Sequence, residues 1–439
     1  FTGDVQVSLA AVGDAGTSDG GANGLSMAPV TIGSTTTIGT AHISASATAA
    51  LGKQQLSFVV TTGTTATVVL PIVVAGAPGT LDTTFGVNGV VADQPGGVAY
   101  GVACADDGHV YVIGGSGPWL VRRYDENGAA DPTFDNAIKT NATGAGRGSR
   151  IAVQGSMLAV GGGDGSNALT IRRVTTSGAI DATFGTSGTF NVKVGSQAAK
   201  GTLTDLAFTA SGDVLATADV SMPSDDGFAY RIHGSTADKI EYSTTVDPGG
   251  IALDGAGKIV VSGSLHTADA GVQLWTQKLD DSFADAGTAS SGTKGQFLSD
   301  GTIAVTSTRI GVFGGYNAGN GHSLAVFDVS SLAVVSAAAS IDHAGTYDVP
   351  FTGAAAEPDG KMVGCGSNGG SQSEFAYVSR FDADGSKDTS FGDSGDFKVG
   401  GFSGAPTTKF NDVAVDAWGR IVVVGSDSSV GMYVARIWP

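Results

Sequence analysis

From about residue 98 onward, short apolar runs alternate with turns built from Gly, Asp, Asn and Ser. "VACADDGHVYVIGG" reads as an apolar run, a tight turn and a second run ending in glycine. The figure returns as "IALDGAGKIVVSGS", "AAAEPDGKMVGCGS" and "VAVDAWGRIVVVGS". Runs this short, separated by D-G-type turns, predict antiparallel strands joined by hairpins. Each pair is followed by a variable loop, a third run such as "WLVRRY" or "FAYVSRF", and another turn. A phrase of the form D-x-[ST]-F then leads into a fourth run. It occurs in "GTLDTTFGVNGVV", "GAADPTF", "GAIDATFGTSGTF", "KLDDSFADAGTA" and "GSKDTSFGDSGDF".

The repeating unit is about 50 residues long. First strands are expected near Val102, Ile151, Leu206, Ile251, Ile303, Ala355 and Val413. One such four-stranded sheet cannot bury both faces alone, but several packed radially can. The expected fold class is therefore all-β, with a seven-bladed β-propeller over residues 77–439. The last unit stops at "VARIWP" after three strands, whereas the opening phrase has no strands before it. The economical arrangement closes the ring by pairing 79–94 with 409–439, which removes a free sheet edge.

The repeated phrase thus has a structural reading. Its Asp (Asp82, Asp131, Asp181, Asp280, Asp388) accepts backbone N–H bonds in a turn. Its Phe (Phe85, Phe134, Phe184, Phe283, Phe391) plugs the space between blades. Gly86, Gly185 and Gly392 follow where the chain bends. A cation recurs near the end of the third run, as Arg123, Arg173, Arg231, Lys278, Arg380 and Arg436. Some of these are expected to pair with the motif Asp of the same or the next blade. The third blade ("STADKIEYSTTVD") and the fifth ("VSSLAVVSAAAS") depart from the motif, which suggests local distortion or a private binding surface.

Residues 1–76 differ in kind. "DVQVSLA", "MAPVTI", "TAHISASA", "KQQLSFVVTT" and "TATVVLPIVVA" are closely spaced strands rich in Thr and Ser, the pattern of an antiparallel sandwich. They resemble bacterial immunoglobulin-like modules. The "FTGDV" opening lacks the strand that usually precedes it, so the module is expected to be partial and completed from upstream or by another chain. The chain opens at Phe1 rather than Met and is read as a mature product or a fragment. "AGAP" at 75–78 is a short linker.

Composition narrows the function. Gly is abundant, at 69 residues, with no every-third-residue period, which excludes collagen. The net charge of −18 argues against nucleic acid and anionic membranes as partners. The longest apolar run, "ATVVLPIVVAGA", is broken by Pro71, so membrane insertion is not expected. Cys104 and Cys365 lie in apolar strands and read as free thiols.

Candidate chemistry is sparse. The six histidines (His42, His109, His233, His266, His322, His343) form no zinc motif. His266 and His322 are placed in equivalent loops of adjacent blades. "DADGSKD" offers Asp382, Asp384 and Asp388, and "DENGAAD" offers Asp125, Asn127 and Asp131. Oxygen side chains spaced this way ahead of a Gly suit calcium, though the same sequences are also strong turn signals. At the mouth of the central funnel the alignment places Tyr100, Thr204, Asp205, Thr352, Asn411 and Asp412, with Arg150 placed less firmly. Two funnel carboxylates suit a cation or a sugar hydroxyl, and acid–base work in principle, or else bonds to neighbouring blades. Trp119 and Tyr316 are the best candidates for solvent-facing aromatics on loops.

At "GTLDTTFGVNGVV", "GAIDATFGTSGTF" and "RFDADGSKDTSFGDSG" the sequence resembles the delta-sixty repeat family. That resemblance, over residues 79–439, implies a β-propeller of bacterial secreted or surface proteins, with no catalytic residues to carry over. The functional expectation is a non-enzymatic extracellular or cell-surface scaffold or adhesion protein without a required cofactor. It would present its loops to a protein partner or assemble with its own copies. The alternatives are a glycan-binding or hydrolytic propeller using the funnel, and a calcium-stabilised adhesin.

Overall fold

The structure is a computed structural model. It describes residues 5–9, 25–27, 30–32, 42–46, 49–61, 65–93, 97–115, 119–141, 148–163, 168–194, 197–222, 226–267, 271–292, 297–316, 321–341, 351–367, 375–400, 408–427 and 431–439. The chain divides into two compact units, Phe1–Ala77 and Pro78–Pro439.

In the first unit, alternating Val, Thr and Ser build a four-stranded antiparallel sheet. Its strand order is Val30–Ile32, Val5–Leu9, Gly52–Thr61, Thr65–Val74. Leu25–Met27 and Ile43–Ala45 form a separate antiparallel pair. Leu25, Leu56 and Val74 make the small core.

In the second unit, seven antiparallel sheets follow one another along the chain. All seven expected first-strand positions fall inside first strands. These are Ala99–Cys104, Gly148–Gln154, Lys200–Phe208, Val246–Leu253, Phe297–Val305, Gly353–Ala356 and Thr408–Val415. Each first strand contacts the next, and the last contacts the first, which makes a ring. The second strands read as unbroken apolar runs because neighbouring blades cover both faces. Val110–Gly114 and Met362–Ser367 are buried along their whole length. The seventh sheet takes its fourth strand from Val90–Asp93, which pairs antiparallel with Gly431–Ile437 in the register Val434↔Val91. The Gly79 N–H also donates to Trp438 O, and the Trp438 N–H to Thr80 O.

The motif phenylalanines are buried between successive blades. Phe184 sits with Ile171 of blade two and Val214, Ala216 and Phe228 of blade three. Phe391 joins Val363 and Val378 to Ile421, Val423 and Ile437 of blade seven. Phe85 joins Val422 and Val434 to Val110 and Val112 of blade one.

One expectation needs correction. Blade one has no fourth strand among the described residues; its motif opens the helix Pro132–Asn141. Asp131 caps that helix, its Oδ1 accepting the N–H groups of Thr133 and Phe134. Pro132 occupies the first helical position, where a missing N–H costs nothing. Blades three and five are complete four-stranded sheets; the outer pair is in unbroken register in blade three, whereas in blade five it shifts register between His322 and Leu324 and between Val326 and Phe327. Blade three turns directly from Asp226–His233 into Thr236–Glu241 through Gly234 and Ser235, so it needs no Asp-x-x-Phe loop.

Candidate functional site

The first strands ring the axis, and the polar residues expected at the funnel lie on or beside them. Their side chains reach from blade to blade. Asp205 accepts the N–H of Leu206 on Oδ1 (2.8 Å) and that of Ile251 in blade four on Oδ2 (2.9 Å). Asp412 repeats the pattern, with Val413 N–H on Oδ1 (2.9 Å) and Val102 N–H of blade one on Oδ2 (3.0 Å). Asn411 Nδ2 donates to Ala99 O (2.7 Å), Thr204 Oγ1 to Pro248 O (2.9 Å) and Thr352 Oγ1 to Phe410 O (3.0 Å). Arg150 is in the same ring: its Nε donates to Thr204 O (2.5 Å) and its Nη1 to Tyr100 O (3.3 Å).

Burial dominates the electrostatics here. It pushes the Asp205 carboxyl up to about 7, against the Ile251 N–H and the Arg150 charge, with Asp412 adding repulsion. It pushes Asp412 up to about 6, against Arg150 and the Val102 and Val413 N–H groups. Chemically, the ring is a pair of carboxylates able to exchange protons near neutrality, each already holding two backbone donors.

A second set of polar groups clamps the blades farther out. Arg436 Nε donates to Asp82 Oδ2 (2.7 Å), Arg173 Nε to Asp181 Oδ2 (2.6 Å) and Arg380 Nε to Asp388 Oδ2 (2.9 Å). Arg123 pairs with Asp131. Each guanidinium also lies over the motif ring: Arg436 over Phe85 and Arg380 over Phe391 at 4.6 Å, Arg173 over Phe184 at 5.0 Å, Arg123 over Phe134 at 5.1 Å. Several reach the next blade as well. Arg123 donates to Thr176 O, Arg173 to Gly212 O and Arg436 to Glu126 O. The motif glycines add backbone links, with Gly86 N–H to Asn127 O (2.7 Å) and Gly185 N–H to Gly234 O (2.7 Å). Gly185 has φ 56°, and a Cβ there would lie 2.0 Å from Thr189 O.

Two of the recurring cations pair with other acids. Arg231 binds Asp213 (2.9 Å) and Lys278 binds Asp254 (2.6 Å), acids of the first hairpin turn rather than the motif. Blade three lacks the motif Asp, and in blade four Asp280 spends Oδ1 on Ser282 and Ala284.

The proposed calcium oxygens are engaged in turns. Asp125 Oδ1 accepts the N–H groups of Asn127 and Ala129, and Asp384 Oδ1 accepts the N–H and hydroxyl of Ser386. Asp388 Oδ1 accepts from Ser390, while its Oδ2 faces Arg380 and Lys361. Asp382 lies 3.6 Å from Lys361. Among the described residues no group of three or more His, Cys, Asp or Glu converges on one point.

The histidines and aromatics also need correction. His322 is in the strand Gly321–Asp328, fully buried, with Nδ1 2.9 Å from the Tyr377 hydroxyl and its ring against Phe351. His266 ends the strand Ile259–His266 and contacts Asp247 at 2.7 Å. His343 lies outside the described residues. Trp119 does not face solvent: it is buried, and its Nε1–H donates to Gly163 O (2.8 Å). Tyr316 ends the strand Arg309–Tyr316 rather than standing in a loop. Both cysteines are free thiols, Cys365 buried and Cys104 partly so.

Two features escaped the sequence reading. Glu357 is buried beside Arg380 (3.7 Å), and burial pushes its carboxyl up to about 7. Its sequence signal was its register: it stands where blades four and seven carry Asp254 and Asp416. The second feature is a pair of clefts between blades. One, of about 510 Å³, is lined by Phe190, Asn191, Lys193, Tyr230, Ser235 and Lys239. The other, of about 420 Å³, lies by Lys258, Lys278, Thr288 and Leu332.

Comparison with known proteins bears on the fold. Residues 357–391 match the model of a family described as a domain of unknown function (DUF5122), beta-propeller. No curated protein matches the chain. Among solved structures the chain is similar to the BP39L lectin from Burkholderia pseudomallei. Identity is 14% over 77% of this chain and 95% of the lectin, with a TM-score of 0.51. It is also similar to the WD40 beta propeller domain of Doa1, at 17% identity over 83% of this chain and 97% of that one, TM-score 0.49. Puromycin hydrolase matches at 14% identity over 83% of this chain and 55% of the hydrolase, TM-score 0.48. At such an identity the likeness to the lectin speaks for the fold alone, an all-β propeller.

Proposed function

We propose that the protein is a non-enzymatic, extracellular scaffold of a bacterial surface, built from delta-sixty repeats and an immunoglobulin-like module. It holds binding surfaces for a protein partner or for further copies of itself. The observation that carries this reading is an open sheet edge. Thr65–Val74 is the outermost strand of its sheet, and among the described residues nothing pairs with its outer side. It exposes Val68, Val69 and Leu70 in succession, at 44%, 52% and 49%. An apolar edge of this length is a template for strand addition, and soluble proteins normally cover it. The axial polar ring supports the same reading, because its donors and acceptors hold blades together.

The test is light scattering of the full chain across a concentration series, with Val69→Lys alongside. Concentration-dependent association that the lysine abolishes is expected. A wild-type chain that stays monomeric and captures no component of a bacterial envelope overturns the proposal.

A glycan or hydrolytic function at the funnel is the second reading, favoured by Asp205 and Asp412 titrating near neutrality. A glycan array with Asp205→Ala and Asp412→Ala decides it: binding lost in both variants supports the funnel, and unchanged behaviour removes it.

A further inference from the structure

We propose that the cleft between blades two and three is a binding site for an acidic sugar residue, such as a uronic acid unit of a surface polysaccharide. The inference is independent of the scaffold reading and of the funnel. It begins with the short turn of blade three. The turn glycines of blades one, two and six pack tightly on the preceding blade: a Cβ on Gly128, Gly178 or Gly385 would meet Gly86, Ala137 or Ser336 at 2.7, 2.9 and 2.3 Å. On Gly234 it would find nothing nearer than Thr183 O at 4.0 Å. Losing the Asp-x-x-Phe loop leaves the adjoining space open.

That space is about 510 Å³, too large for a bare ion and within the range of small-molecule sites. Its lining has the mix that sugars need. Phe190 is partly exposed and packs edge-on to buried Tyr230 at 6.2 Å, which offers an apolar face to sugar C–H groups. Thr186, Thr189 and Ser235 bring hydroxyls. Asn191, which lines the cleft, accepts from Thr170 Oγ1 on its Oδ1 (3.1 Å), and as an exposed side chain it keeps its amide donors for other partners.

The charge selects among sugars. Lys239 is held by Glu241 at 2.8 Å, but among the described residues no acidic side chain pairs with Lys193. An unneutralised ammonium at the rim of a cleft favours a carboxylate over a neutral hydroxyl, and this local attraction acts against the general repulsion of a chain of net charge −18.

The test is calorimetric titration of the full chain with trigalacturonate and, separately, with neutral galactotriose. Saturable binding of the acidic trisaccharide is expected, at least about tenfold tighter than of the neutral one. Lys193→Gln, an exposed change, should erase that preference, while Phe190→Leu should weaken binding of both sugars at an unchanged melting temperature. Lys409→Gln, on blade seven, should leave binding as it is. Absence of saturable binding, or a preference that survives Lys193→Gln, overturns the proposal.

Discussion

Arg436 and Asp82 form an ion pair at 2.7 Å across 354 residues of sequence, with side chains 1% and 0% exposed. The pair lies where the opening phrase meets the last blade, so a local contact there secures the whole ring. Arg420 stands 3.7 Å from the same carboxylate. Removing the acid leaves the buried Arg436 guanidinium short of its counter-charge, while Arg420 keeps Asp416 at 2.7 Å. Asp82→Asn is therefore expected to cost about 3–5 kcal/mol in urea unfolding. Val69→Lys, on the other unit, should leave propeller unfolding unchanged.

Acidity should act in two directions. The motif carboxylates Asp131, Asp181 and Asp388 are held below the usual range. Burial opposes this for Asp181 and Asp388, while bonds from Arg, Lys and turn hydroxyls or N–H groups prevail. They stabilise the fold above their unfolded pKa, and that contribution is lost as pH falls through the folded value. Asp205, Asp412 and Glu357 are raised, to about 7, 6 and 7, chiefly by burial. The folded state holds their protons more tightly, so their contribution is present at low pH and lost as pH rises through the folded values. Stability is expected to peak near pH 4, where the carboxyls of the unfolded chain titrate, and to decline from there to about pH 7. Asp412→Asn should flatten that decline, as read from urea midpoints at a series of pH values.

Glu357 occupies a position built for aspartate. Asp254 Oδ1 accepts the N–H groups of Ala256 and Lys258, and Asp416 Oδ1 those of Trp418 and Arg420. Glu357 keeps the backbone turn, with its N–H on Lys361 O, but its longer side chain makes no such bond. Glu357→Asp should add a side-chain bond to the backbone of that turn and stabilise the chain by about 0.5–1.5 kcal/mol, measured by thermal melting.

Chelation should leave the melting temperature unchanged within about a degree, a shift that for a chain this size corresponds to well under 1 kcal/mol. Asp388 Oδ2 already faces Arg380 and Lys361, and Asp131 Oδ2 faces Arg123. A clear drop on chelation would instead assign calcium to these turns.

The parts legible in the sequence were those coded locally and repeated. The two-sided apolar second strands recur in every blade, and the turn glycines and the Asp-x-x-Phe phrase in most of them, so blade number and strand positions followed. Position alone could not choose a partner. Arg231 and Lys278 stand in register with Arg173, yet they bind hairpin acids: blade three has no motif acid, and in blade four Lys278 takes Asp254 although Asp280 is present. The helix after Asp131 was signalled by Asp-Pro, an N-cap followed by a first-turn proline, and the repeat masked it. The burial of Trp119 and His322 comes from neighbouring blades, which no single-strand pattern reveals.

Ring closure is tested most directly by comparing two shortened chains, one of residues 78–439 and one of 94–439. The shorter lacks Val90–Asp93 and the Asp82 and Phe85 clamp. The chain of 78–439 should unfold in one cooperative transition, and that of 94–439 should lose cooperativity and melt at least 10 °C lower, about the effect of losing several kcal/mol. Equal melting of the two would contradict closure by the opening phrase.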